Sequence, residues 1–224
     1  MTRQHKLWFA LAALLACHAA QAQLQLERLS VRAGVTTIHP DVTSGDLSAP
    51  SLAHTTIDVG NATQLSGGLN YALTDNVSLD LPLGLSFKHE VVGDGAIAGV
   101  GKLGSVKSSP ITVLLQYRFG SPSSRLRPFV GAGMTYARFY KSKATAALSG
   151  LTGGTPSRPT TLSMEDSAGG TVQAGLLYAI DNKWFIDGAL TYVKIRTTGQ
   201  LSTGQTIKAR LDPTAFSIGL GYKF

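Results

Sequence analysis

The chain has 224 residues, a formal net charge of +7 and one cysteine, Cys17. That is a single domain's worth of sequence with no possible disulfide framework. The positive balance does not mark a nucleic-acid partner: the basic residues are scattered, with no aromatic–basic cluster and no recognition helix among them.

The first segment reads as an export signal. Arg3, His5 and Lys6 form a basic start, and Leu7–Ala16 is apolar but too short to span a bilayer as a helix. Ala20-Gln21-Ala22 is a small-x-small cleavage site, which assigns residues 1–22 to a signal peptide and 23–224 to the mature domain. A competing lipobox reading of Leu14-Leu15-Ala16-Cys17 would acylate Cys17, although Leu15 is an uncommon residue at its site. Beyond residue 22 no apolar run is long enough for a membrane-spanning helix. Loss of Arg3 and Lys6 lowers the net charge to +5.

The rest of the chain alternates. Leu29 to Val35 places Leu29, Val31, Ala33 and Val35 on one face. Leu65 to Leu73 follows, then Val77 to Phe87, where six large apolar residues oppose Ser78, Asp80, Pro82, Gly84 and Ser86. Ile111–Phe119, Val130–Tyr136, Val172–Ile180 and Trp184–Tyr192 repeat the pattern. The last strand sets Phe216, Ile218, Leu220, Tyr222 and Phe224 against Ser217, Gly219, Gly221 and Lys223. These are eight strands. Their connections alternate as well: short at 74–76, 120–126 and 181–183, long at 38–61, 90–109, 140–167 and 197–208.

Eight strands with alternating short and long connections predict an all-β, antiparallel, up-and-down transmembrane β-barrel. Its four long loops are extracellular and its short turns periplasmic. An even strand number closes the sheet and removes its edges. A soluble lipocalin-like barrel would turn the bulky face inward, but the aromatic residues argue for lipid. Tyr71, Tyr117, Phe119, Tyr178, Trp184, Tyr222 and Phe224 fall at the short-turn ends, and Phe87, Tyr136 and Tyr192 at the long-loop ends. That is two girdles around an aliphatic waist. The expected place is the bacterial outer membrane, with outer-membrane lipid as partner and a basic rim near anionic headgroups.

The chain resembles the OmpW/AlkL family of small outer-membrane barrels. The likeness is carried by Val31-Arg-Ala-Gly34, Leu73-Thr-Asp-Asn76, Phe87-Lys-His89, Gly101-Lys-Leu-Gly104, Leu115-Gln-Tyr-Arg-Phe119 and Arg127-Pro-Phe-Val-Gly-Ala-Gly133. It continues through Leu162-Ser-Met-Glu-Asp-Ser167, Val172-Gln-Ala-Gly175 and Leu211-Asp-Pro213 into Phe216-Ser-Ile-Gly219. Ala168 departs from the family, which often carries Trp there, and Pro82 interrupts strand three. The resemblance implies a narrow channel that helps small hydrophobic molecules across the outer membrane. Likeness to outer-membrane barrels also implies that the last strand, with Phe216, Tyr222 and Phe224, is the signal read by the outer-membrane assembly machinery.

The inward residues suit such a channel. Arg32, Asp80, Arg118 and Asp187 lie toward the periplasmic ends, where opposite charges in a tight lumen should pair into a plug. Leu114, Phe139, Val193, Ile195, Pro213 and Ala215 are apolar and lie toward the loops, predicting a hydrophobic pocket above it. A greasy solute blocked below would leave sideways into the bilayer, at Pro82, which lacks a ladder donor, or opposite at Pro213. The alternative is a barrel with a filled lumen and no transport, presenting its loops to phage, bacteriocins or host surfaces. Catalysis is not expected. His39, His54 and His89 are scattered, no spacing pairs a serine with a histidine, and no ligand-spaced carboxylates suggest a metal or other cofactor.

Overall fold

A computed structural model describes residues 25–224. The predicted leader, its cleavage site and Cys17 lie outside the described residues. Fourteen strands follow a 3-10 turn at Leu26–Arg28: β1 (Leu29–His39), β2 (Thr43–Ser44), β3 (Thr55–Val59), β4 (Ala62–Ala72), β5 (Val77–Gly84), β6 (Phe87–Gly95) and β7 (Lys102–Arg118). They continue with β8 (Leu126–Ala144), β9 (Leu162–Met164), β10 (Ser167–Ala179), β11 (Trp184–Val193), β12 (Arg196–Leu201), β13 (Thr206–Arg210) and β14 (Thr214–Lys223). A short helix, Ala146–Thr152, sits in the third long connection.

Eight of these strands make the barrel. The order β7-β5-β4-β1-β14-β11-β10-β8 is antiparallel throughout and closes through β7–β8. The alternation in sequence is realised in space. Leu69, Val113, Leu115, Leu176, Leu190, Ile218 and Leu220 are exposed around the waist, as a lipid-facing surface requires. Trp184, Tyr222 and Phe224 stack edge to face in the lower girdle, with ring centroids 5.1 and 5.4 Å apart.

The periplasmic turns are held by their polar residues. The Asp181 carboxylate accepts the backbone N–H groups of Lys183 and Trp184, both at 2.7 Å. Thr74 Oγ1 accepts from Val77 N–H at 3.0 Å. Neighbouring turns are stitched together where Asn76 Nδ2 donates to the carbonyls of Arg118 and Gly120, and Arg127 donates to that of Asp75.

Two sequence expectations change here. The 38–61, 90–109, 140–167 and 197–208 connections carry strands of their own. β7 and β8, at 17 and 19 residues, outrun the roughly 9–11 residues that cross a bilayer. With β3 and β6 they rise above the membrane, joined by a second sheet of order β2-β13-β12-β9. This extension has its own core of Ile97, Leu103, Leu148 and Leu201. Phe87, expected in the upper girdle, is buried instead. The third strand breaks at Leu85-Ser86, and pairing passes from Asp80↔Leu114 on β5–β7 to Phe87↔Ser108 on β6–β7. That is a slip of one residue, and a slip of one turns every later side chain to the other face. Leu83 and Leu85 point out, whereas Phe87, His89 and Val91 point in.

Candidate functional site

The lumen is layered. At the periplasmic floor Phe129, Leu177 and Phe185 pack with Ala189. Two glycines make room for them: a Cβ at Gly175 would lie 2.4 Å from the Phe129 ring, and one at Gly221 would lie 2.1 Å from that of Phe185.

Above this apolar floor sits a polar plug. Arg32 on β1 grips Asp80 on β5 with two parallel hydrogen bonds, Nη1 to Oδ1 at 2.6 Å and Nη2 to Oδ2 at 2.9 Å. Its Nε faces Asp187 Oδ2 on β11 at 3.5 Å. Gly68 lies beneath the guanidinium, and a Cβ there would meet Arg32 Cζ at 2.7 Å. Asn70 Nδ2 donates to Asp80 Oδ1 at 3.1 Å and to Gln116 Oε1 at 3.0 Å. Gln116 passes the chain to Gln173 at 2.6 Å, and Gln173 to Thr191 at 3.1 Å. Just above, the hydroxyls of Thr112, Thr135 and Thr171 form a second bridge with spacings of 2.8 and 2.6 Å. Amides and hydroxyls thus span the barrel from β4 to β11. The lost hydration of the buried charges is replaced by pairing and hydrogen bonds.

Arg118 is placed differently from Arg32. It lies in the register layer of Phe129, makes no ion pair among the described residues, and its buried Nε has no partner. The plug is therefore built on Arg32, Asp80 and Asp187.

Directly on the plug rests a cavity of about 150 Å³. Phe139, Val193, Ile195, Pro213 and Ala215 line it, together with Phe87, His89, Val106 and Leu211. Leu114 does not. It is the partner of Asp80 across β5–β7, fully buried in the plug layer, and so a packing residue one level below the cavity. Phe87 and His89 were hidden in the sequence by the slip at Leu85-Ser86, which places even an apolar residue such as Phe87 on the unexpected face, and Val106 because it falls in the 90–109 stretch read as a connection. The floor phenylalanines carried a signal: both occupy inward positions, opposite glycines.

The cavity has a side wall, and that wall is incomplete. β5 pairs with β4 along its length, from Ala72↔Ser78 to Ser66↔Gly84. With β7 it pairs over only four residues, Val77↔Tyr117 to Asp80↔Leu114. Continuing that register would set Pro82 against Thr112 and Gly84 against Pro110, yet these pairs do not form. Neither Pro82 nor Pro110 has an N–H to give. Pro82, Leu83, Gly84, Pro110 and Thr112 all border the cavity, so the gap lies between its interior and the lipid face. A contact between Ser86 Oγ and Tyr140 Oη spans the wall near the gap's upper end. The wall at Pro213 is closed, because its carbonyl accepts from Val193 N–H at 3.0 Å. The break is on the Pro82 side alone.

The profile of the OmpW family matches residues 27–224. The chain belongs to the OmpW family. Outer membrane protein W of Escherichia coli K12 is 32% identical over 197 residues, covering 87% of each chain. Outer membrane protein AlkL of Ectopseudomonas oleovorans is 28% identical over 185 residues, covering 80% of this chain and 75% of its own. The crystal structure of OprG from Pseudomonas aeruginosa superposes with a TM-score of 0.77 at 26% identity, covering 88% of this chain and 95% of OprG. This OmpW-family chain is thus an outer-membrane protein with an eight-stranded barrel. Phe216 and Tyr222 lie on its lipid-facing last strand and Phe224 directly follows it, with Phe216 and Phe224 exposed.

Proposed function

We propose that this barrel assists the passage of small hydrophobic molecules across the outer membrane and releases them sideways into the bilayer. The observation that carries the reading is the apolar cavity closed below by a salt-bridged plug and bordered by an unpaired stretch of wall. An apolar solute gains nothing from crossing Arg32, Asp80 and Asp187, where it would displace hydrogen bonds it cannot replace. At the gap between β5 and β7 it meets hydrocarbon instead. A cavity of this size and lining suits a single small ligand: an engineered apolar cavity of about 150 Å³ holds benzene. Membership of the OmpW family favours the same reading over a filled structural barrel. We further assign Phe216, Tyr222 and Phe224 to recognition by the assembly machinery.

Val193→Asp tests the channel reading. It places an unpaired carboxylate in the cavity, which is costly, and intact cells should then take up an apolar solute such as octane more slowly, with the barrel still folded and heat-modifiable. Undiminished uptake through a folded Val193→Asp barrel would favour the filled structural barrel.

A further inference from the structure

The upper cavity holds a polar group that transport of a pure hydrocarbon does not use. His89 on β6 is 5% exposed and lies across from Val106 on β7. Phe87 and Val91, its neighbours on the same face, are buried and apolar. Its Nδ1 is 2.9 Å from the Gly60 carbonyl oxygen. A carbonyl only accepts, so Nδ1 carries the proton and, in the neutral ring, Nε2 is a bare acceptor. Burial lowers the imidazole pKa, which keeps the ring neutral at pH 7. Among the described residues Nε2 has no hydrogen-bond partner, and it is not fully shielded from the cavity. Among the cavity-lining residues of β6, His89 is the one with a polar side chain.

An imidazole that only filled space would do so at lower desolvation cost as leucine or phenylalanine. A ring acceptor fixed among the apolar side chains of the upper cavity, Phe87, Phe139, Val193 and Ile195, is instead how mostly apolar ligand sites orient and select their guests, while the cavity's hydroxyls, Ser108 among them, lie on other strands. We infer that His89 is a specificity residue that makes the cavity prefer apolar molecules bearing one hydroxyl donor, such as medium-chain alcohols, over the matching alkanes. The O–H of the guest donates to Nε2, and its tail lies against Phe139, Val193 and Ile195. Gly60 acts as the positioning group, because its carbonyl holds the ring and fixes the tautomer. The inference rests on the cavity reading above and adds its substrate class.

The test uses the full mature barrel in lipid nanodiscs, titrated with 1-octanol and with octane and followed by the methyl resonances of Val193 and Ile195. Comparing the two ligands' apparent Kd ratio between variants in one bilayer cancels their partition into lipid. His89→Leu should weaken 1-octanol relative to octane by about two- to tenfold, the range of one neutral hydrogen bond. His89→Gln, which keeps an acceptor, should restore most of the preference. An unchanged ratio in His89→Leu, with octane still binding, would overturn the role of His89 and leave the cavity reading intact. If neither ligand moves the methyl resonances of the unaltered protein, the cavity reading falls and this inference falls with it.

Discussion

Asp80 is fully buried and shares Arg32 with Asp187, so no member of the plug can be changed in isolation. Removing one partner of a buried pair leaves a charge uncompensated, at a cost of about 3–5 kcal/mol. Asp80→Asn and Arg32→Gln should therefore each destabilise the barrel, and their effects should be non-additive by about 0.5–3 kcal/mol. Urea unfolding of both single variants and the double variant in the same lipid measures this coupling. Strict additivity would mean that the two side chains do not act as a pair. Leu114 makes a complementary case. Its burial in the plug layer predicts that Leu114→Ala costs about 2–5 kcal/mol of stability. Octane titrations read at Val193 and Ile195 should stay nearly unchanged, because Leu114 does not line the cavity. A large loss of ligand binding with little loss of stability would return Leu114 to the pocket.

At the scale of strands and their connections, Asp166 clips the third long connection to the barrel. Its Oδ1 accepts from Phe139 N–H at 2.7 Å and its Oδ2 from Tyr136 Oη at 2.8 Å, at the point where β10 begins. The Phe139 N–H, first, and the Tyr136 hydroxyl depress its pKa below the usual carboxylate range. A depressed folded pKa means that the clip's contribution is complete above the unfolded value of about 3.9 and is lost as pH falls through the folded one. The protection factor of the Phe139 amide, the intrinsic exchange rate divided by the observed rate at the same pH, should thus be constant from pH 5 upward and fall only in stronger acid. Asp166→Asn should remove that pH dependence, and a Phe139 amide indifferent to both changes would remove Asp166 from the role. On the lipid face, Ile218→Arg at the exposed waist, midway along β14, should cost about 2–4 kcal/mol of stability, read by urea unfolding in lipid. The eight crossing strands were legible because period two is a strong signal when one face meets lipid and the other a polar lumen. Phe87 was not, because alternation fixes a face only while the strand is unbroken, and nothing local to Leu85-Ser86 announces a slip of one residue. The extension was hidden for a related reason. β2, β9, β12 and β13 have two to six residues each, too short for periodicity, and pair across large sequence separations such as Ser44 with Ala209. For the site, Arg32, Asp80 and Asp187 could be read from their shared inward phase. The pairing of Arg32 with both carboxylates could not, because register across strands is not written in any one strand.

For the whole molecule the central claim is a direction: solute enters the upper lumen, is stopped by the plug, and leaves between β5 and β7. The claim depends on the unpaired stretch from Leu81 to Gly84 being a passage. Cys17 is the only cysteine in the sequence and lies within the predicted leader, so a pair of introduced thiols would stand alone in the mature barrel. Gly84→Cys with Pro110→Cys places one thiol on each border of the gap, where the continued register would make them opposite. A short bis-thiosulfonate linker can bridge the two through mixed disulfides that a reductant later cleaves. The decisive measurement is octane uptake by cells carrying this variant, bridged and then reduced. The lateral route predicts that uptake falls to the level of cells lacking the protein on bridging and recovers on reduction, with the barrel folded throughout. Uptake that continues unchanged through a fully bridged barrel would contradict it.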